Sequence, residues 1–255
     1  MGNILTLAQK ELRAYFVSPI AYVLLVFFAL LFGYFYVSSI NFMIQLSMGQ
    51  FGMGGPQIVN INEFMIRPLF GNTAVILLFM LPMLTMRSFA EEKRSGTIEL
   101  LLTSPLTDFQ IIMGKFLGAM ALYTLMLSLT LVHIGVLFWY GEPEWAPVLS
   151  GYLGLLLMGG SFISIGLAIS SMTKNQIVAG VSTFAVLLLF WIINWMGDAS
   201  GTTTQSVLAY LSILEHFDDF SKGVIDTTHL TYYVSFITLG LFLTAKSMDM
   251  ARWNG

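Results

Sequence analysis

The chain has 255 residues, 56% of them hydrophobic and 10% charged, with a formal net charge of −3 and no cysteine. Ordinary soluble domains carry about 25% charged residues, so this composition suits a chain dissolved in a bilayer rather than one folded around a water-surrounded core. The missing cysteines exclude a disulfide framework, a thiolate metal site and a thiol nucleophile.

The first 19 residues are expected to form an interfacial helix. Thr6 and Gln9 have capping-box spacing, in which each side chain satisfies an orphan backbone donor. Leu5, Ala8, Leu12 and Tyr15 then share one face, with Gln9, Lys10 and Arg13 on another. Such a helix lies along the headgroups as an anchor, or touches a cytoplasmic partner as well. Pro19 favours a break before the next segment. That segment is too long for a signal peptide and lacks a clear small-residue cleavage site, so it reads as an uncleaved first span.

About 20 apolar residues cross roughly 30 Å of hydrocarbon as a helix. Six segments approach that test: 20–40, 69–86, 111–140, 148–172, 177–196 and 230–248. The third is over-long and must tilt or leave the membrane. Lys and Arg favour cytoplasmic loops. With both termini inside, Lys10, Arg13, Arg87, Lys93, Arg94, Lys115, Lys174, Lys246 and Arg252 are cytoplasmic, against Arg67 and Lys222 outside. The outer loops carry Glu142, Glu144, Asp198, Glu215, Asp218, Asp219 and Asp226. An all-α, six-span, single-domain membrane protein over 1–255 is therefore expected.

Residues 41–68 hold Met43, Met48, Met53 and Met65 among Gly49, Gly52, Gly54 and Gly55. Thioethers can ligate Cu(I), but methionine is frequent throughout this chain and the glycines read as a linker, so no metal site is assigned. The stretch 87–105 concentrates charge between two apolar runs. Ser88 and Glu91 have capping-box spacing, and Glu91, Glu92, Lys93 and Arg94 fill the first turns. Gly96 weakens a helix by roughly 1 kcal/mol relative to Ala. Ile98, Leu101 and Leu102 form an apolar stripe, Pro105 ends the element, and Thr107 with Gln110 caps the next. This predicts a short amphipathic helix under the membrane, offered to a soluble partner.

Within the spans, Lys115 is expected to snorkel to the interface. His133 is expected to hydrogen-bond between helices, because a proton relay needs a chain of acids and bases that is missing. Gly114 with Gly118, and Gly160, Ser164 and Ala168 at four-residue intervals, allow close helix packing. Residues 198–229 exceed what a turn needs, and 207–214 could dip back into the outer leaflet as a short helix, buried by protein. Enzyme motifs are absent. Gly114-Lys115 lacks the upstream glycine of a P-loop and has Phe116 where Ser or Thr belongs. There is no metalloprotease His pair and no Gly-x-Ser-x-Gly. No energy source, and no nucleic-acid partner, is evident in the chain itself.

The run from Ala90 through Pro105, followed by Gly114-Lys115, resembles the cytoplasmic loop of ABC-2 type exporter permeases. Lys10-Glu11 before Tyr15-Phe16 and Ser18-Pro19, then Lys174-Asn175-Gln176, His216-Phe217 and Gly223-Val224-Ile225-Asp226, are similar to the gliding-motility-associated permease branch, near the permeases of nitrous-oxide-reductase maturation. The resemblance implies a six-helix half-transporter in a bacterial cytoplasmic (inner) membrane. It implies pairing with a second permease subunit (same chain or paralogue) and with two separate ABC ATPase subunits that hold ATP and Mg. It implies that the loop between spans two and three is a coupling helix, with Glu91, Glu92, Lys93, Arg94, Gly96, Thr97 and Glu99 transmitting ATP-driven closure. It also implies re-entrant outer helices before span six, carrying His216, Gly223 and Asp226. The fold does not name a cargo. Two other readings stay open: an ATPase-driven mechanical or signalling subunit with an outer accessory protein, and an ion-coupled carrier.

Overall fold

In the computed structural model, residues 2–48, 60–103, 105–197 and 202–253 are described, less the side chains of 101, 102, 194–197, 202–206, 251 and 253. The elements in chain order are α1 (Gly2–Val17), α2 (Pro19–Ser47), a π-helical turn (Asn62–Ile66), α3 (Arg67–Thr85), α4 (Ala90–Ser95), α5 (Ile98–Leu102), α6 (Asp108–Tyr140), α7 (Trp145–Met172), α8 (Gln176–Gly197), α9 (Thr202–Leu211), α10 (Ile213–Ser221) and α11 (Thr227–Trp253). No strand occurs among the described residues.

Five helical stretches are long and apolar enough to cross a membrane: Pro19–Ser47, Asn62–Ser95, Asp108–Tyr140, Trp145–Met172 and Gln176–Ile193. The sixth expected span, α11, has 27 residues but is too polar to join them. Its polar groups are nonetheless satisfied inside the protein. The Tyr232 and Tyr233 hydroxyls donate to the carbonyls of Leu211 and Ile213 at 2.8 and 2.9 Å, and Thr231, Thr238 and Thr244 donate to carbonyls one turn back. A hydroxyl bonded this way no longer demands water, so hydropathy overstates the polarity of this helix.

The core is built around α7. In its apolar window 78% of residues are buried, against 28% for α2 and 22% for α8. Glycines make this possible, because each leaves a notch for a neighbour's side chain. A Cβ at Gly151 would collide with Phe70 of α3, at Gly154 with Phe220 of α10, at Gly159 with Tyr123 of α6, and at Gly166 with Thr85 of α3. The expected stripe of Gly160, Ser164 and Ala168 is buried. Gly160 lies against Ile237, and Gly240 of α11 closes directly onto Ser164. At Gly160 and Ser164 the neighbour of α7 is α11.

Several local expectations need correction. The break before the first span is real: Ser18 N-caps α2, and Pro19 stands at its first position, where a missing N–H costs nothing. The Thr6–Gln9 box does not form, because α1 already starts at Gly2 and the Thr6 hydroxyl donates to the Gly2 carbonyl at 2.9 Å. The face of α1 is shifted as well: Leu7 is its buried residue, while Leu5 is 64% exposed. Thr107 and Gln110 do form a reciprocal capping box at the start of α6. The single amphipathic loop helix is two, α4 and α5, because Gly96 at φ 74° terminates the first as a left-handed C-cap. The side chains of Leu101 and Leu102, like Ser104, fall outside the described residues, as do Met53, Gly49, Gly52, Gly54, Gly55 and Asp198. Met65 is fully buried whereas Met48 is 70% exposed. His133 makes no hydrogen bond through Nδ1. It sits edge-on to Phe32 and Tyr36 of α2, at centroid distances of 5.3 and 5.1 Å.

Candidate functional site

The charged loop is seated on the end of α7 by backbone hydrogen bonds. Ser170 Oγ accepts from the N–H groups of Phe89 and Ala90, both at 3.1 Å, and donates to the Met86 carbonyl at 3.1 Å. It thus does the work expected of Ser88, whose own hydroxyl is buried without a partner. A cap delivered from a distant helix leaves no local spacing to read. Lys93 Nζ donates to the Ser171 carbonyl, which also accepts from Ser247 of α11 at 2.9 Å. Burial, and then the nearby Lys174 cation, hold the Lys93 ammonium below the usual lysine range.

Lys115 is the centre of the arrangement. It lies two turns into α6 and is 1% exposed, so it does not snorkel. Its Nζ reaches Glu92 Oε1 of α4 at 2.7 Å, Glu11 Oε1 of α1 at 3.1 Å and the Ser88 carbonyl at 2.8 Å, and stands 5.0 Å from the Phe89 ring centroid. Three donors meet three acceptors, which is the full capacity of an ammonium. Glu92 is pulled two ways. Burial raises its carboxyl above the usual range and outweighs the opposing attraction of Lys115. Beside it, Arg87 pairs with Glu91 at 3.2 Å and with Ser18 Oγ at 3.4 Å.

The short glycine pair explains how α1 gets close enough. Gly114 and Gly118 face the N-terminal helix rather than another span. A Cβ at Gly114 would overlap Leu7, and one at Gly118 would overlap the Glu11 side chain and approach the Ala8 carbonyl. Without those glycines Glu11 could not reach Lys115. The expected coupling residues divide accordingly. Glu92 and Lys93 turn into the bundle, while Glu91, Arg94, Gly96, Thr97 and Glu99 are exposed, as is Leu100 at 73%.

Residues 5–245 match the family model described as ABC-2 family transporter protein. The chain belongs to the ABC-2 family. Among curated proteins, the ABC-2 chain is 30% identical over 145 residues to the "Probable multidrug ABC transporter permease YbhR" of Escherichia coli (strain K12), and equally to that of Escherichia coli O157:H7. The match covers 55% of this chain and 38% of each relative, so it spans well under half the length of the curated proteins it resembles. Family and apolar helices together make the ABC-2 chain an integral membrane protein of the permease type.

At the opposite end of α7, the segment 207–214 is not one helix. Ser212, in an extended conformation, separates α9 from α10. His216 is buried at this break. Its Nε2 donates to the Tyr210 carbonyl at 2.9 Å, which leaves Nδ1 as the acceptor facing His229 Nδ1 at 2.6 Å. His229 Nε2 in turn donates to Asp219 Oδ2 at 2.9 Å. Burial pushes His216 below the usual histidine range, outweighing its hydrogen bond to the Tyr210 carbonyl, which acts the other way. Asp218 bridges Arg67 and Lys222, each at 2.5 Å, tying α10 to the start of α3. Gly223, at φ 94° against Pro147, makes the turn, and Asp226 Oδ1 accepts from the Thr228 N–H at 2.8 Å to start α11. The sequence placed His216, Gly223 and Asp226 in this segment. It missed Lys115, Glu11 and Ser170, although a lone lysine inside an apolar run is itself a signal that counter-ions lie nearby.

Proposed function

We propose that this ABC-2 chain is the permease subunit of an ATP-driven exporter. In this reading it spans a bacterial cytoplasmic membrane six times as one domain with both termini inside. It pairs with a second permease copy or paralogue, and takes its energy from two separate ABC ATPase subunits that bind ATP and Mg. The observation that carries the reading is the two-sided character of α4. One side is fixed to α6 through Glu92 and to α7 through Lys93 and Ser170, with Lys115 passing the link on to Glu11 of α1. The other presents Glu91 and Arg94 outward, and just beyond it Thr97 and, in α5, Glu99 are exposed as well. A push on the exposed side is therefore delivered to several long helices at once. The sparsely buried faces of α2 and α8 are left for lipid and for the second permease. Placement near the gliding-motility-associated permeases rests on the His216-Phe217 and Gly223 to Asp226 motifs.

The test is co-purification with the ATPase subunits, comparing the native chain with a Glu91→Lys, Arg94→Glu, Glu99→Lys variant. These residues are exposed, so the variant is expected to insert and melt like the native chain, yet lose the ATPase or its transport-coupled hydrolysis. Unchanged coupling in that variant refutes the assignment of the loop.

A further inference from the structure

A cavity of about 390 Å³ opens between α1, the first turn of α2, the end of α3 and α4. Its charged lining balances Lys10, Arg87 and Lys115 against Glu11, Glu91 and Glu92. Much of this charge is already engaged: Lys115 with Glu11 and Glu92, and Arg87 with Glu91. Three groups are not. Lys10 has no ion pair among the described residues. Glu92 Oε2 and Ser88 Oγ are buried with no hydrogen-bond partner, and Ser88 is only 7% exposed. An unmet buried polar atom costs about 1–3 kcal/mol, so two of them on residues that line one cavity point to a ligand that donates hydrogen bonds. A primary ammonium supplies three donors, and the carboxylate favours a cation. Lys10 and Arg87, both in the lining, offer the complementary positive charge for an anion. The rim is apolar, with Val17 87% exposed where the hydrophobic α2 begins.

We propose that this cavity binds the phosphodiester–primary-ammonium zwitterion of an ethanolamine phospholipid. The ammonium donates to Glu92 Oε2 and Ser88 Oγ, the phosphate sits on Lys10 and Arg87, and the acyl chains follow the exposed face of α2. A choline headgroup carries no N–H and leaves both acceptors unmet. A glycerol headgroup brings no cation. The site is independent of what the chain transports and of whether an ATPase binds.

The experiment is a titration of the delipidated full chain in detergent, read by native mass spectrometry, with phosphatidylethanolamine, phosphatidylcholine and phosphatidylglycerol of matched chains. A parallel arm uses soluble glycerophosphoethanolamine. Phosphatidylethanolamine is expected to bind about tenfold more tightly than phosphatidylcholine, the worth of one charge-assisted hydrogen bond. Ser88→Ala should erase much of that preference without lowering the melting temperature, since it removes an unmet hydroxyl. Lys10→Gln, at an exposed position, should weaken phosphatidylethanolamine and phosphatidylglycerol alike. Equal binding of the ethanolamine and choline lipids by the native chain overturns the proposal, and so does a Ser88→Ala variant that keeps the full preference. Binding of the soluble headgroup with the same Ser88 dependence, while the lipid is not retained, assigns the site to a water-borne zwitterion and overturns the lipid source.

Discussion

Replacing Lys115 with Met tests whether the ion cluster holds the loop to the bundle. The side chain is 1% exposed and serves two carboxylates and one carbonyl. Removing one member of a buried pair costs about 3–5 kcal/mol, because the partner charge is left unpaired. Glu11 and Glu92 keep 14% and 21% exposure and can partly rehydrate, which puts the expected loss near the lower end, about 3 kcal/mol. For a chain of this size that corresponds to a fall of roughly 6–12 °C in melting temperature in detergent. The deficit should also depend on pH. Burial already raises the Glu92 carboxyl above its ordinary value against the pull of Lys115, and without Lys115 it rises further. An acid whose folded pKa lies above its unfolded one adds stability that is complete below the unfolded value and is lost as pH rises through the folded value. The variant should therefore be weakest near pH 8 and recover toward pH 5. Adding Glu11→Gln and Glu92→Gln should restore part of the loss at pH 8, since neutral amides need no counter-ion. A loss under about 1 kcal/mol, or an equal deficit at both pH values, refutes the reasoning.

Gly118→Val should drive a branched side chain into Glu11 and the Ala8 carbonyl, costing about 1–3 kcal/mol of overpacking and lifting α1 from α6; protease accessibility near Lys10 would report the undocking. Gly96→Ala meets no atom within 4 Å but keeps φ at 74°, so only backbone strain, about 1–2 kcal/mol, should appear in the melting curve, while Ala at the helical position Ser95 should be near neutral. At the other end of the bundle, His216 has its pKa lowered by burial. On acidification the unfolded chain takes its proton first, so stability should fall as pH drops from about 6.5 toward the folded value, then level off; His216→Gln should remove that step in a pH series of melting temperatures.

The long helices were legible because hydrophobic length is a property of the chain alone. Five long apolar helical stretches overlap five of the expected segments, two of them running seven or more residues beyond the expected bounds, and α11 is a long, more polar helix over the sixth. The boundary at Ser18–Pro19 and the box at Thr107–Gln110 were legible for the same reason, since caps are local. What failed was long-range. Ser88 has the spacing of a cap, but Ser170, 81 residues away, takes over that duty for Phe89. Lys115 looks like a snorkelling lysine until Glu11, 104 residues earlier, is folded against it. Gly114 and Gly118 carry a packing motif, but nothing in that motif says that the partner is the N-terminal helix α1.

The glycine notches of α7 have a mechanical consequence. Phe70, Phe220, Tyr123 and Thr85 enter the helix at four heights and from three different neighbours, like keys in a slotted shaft. Rotation about the long axis would drive every key against a backbone at once, and sliding by one residue would do the same. Movement of the bundle must therefore carry α7, α3, α6 and α10 as one block. Deformation is left to the joints of α2 and α8, which share few such slots and bury the smallest part of their surface.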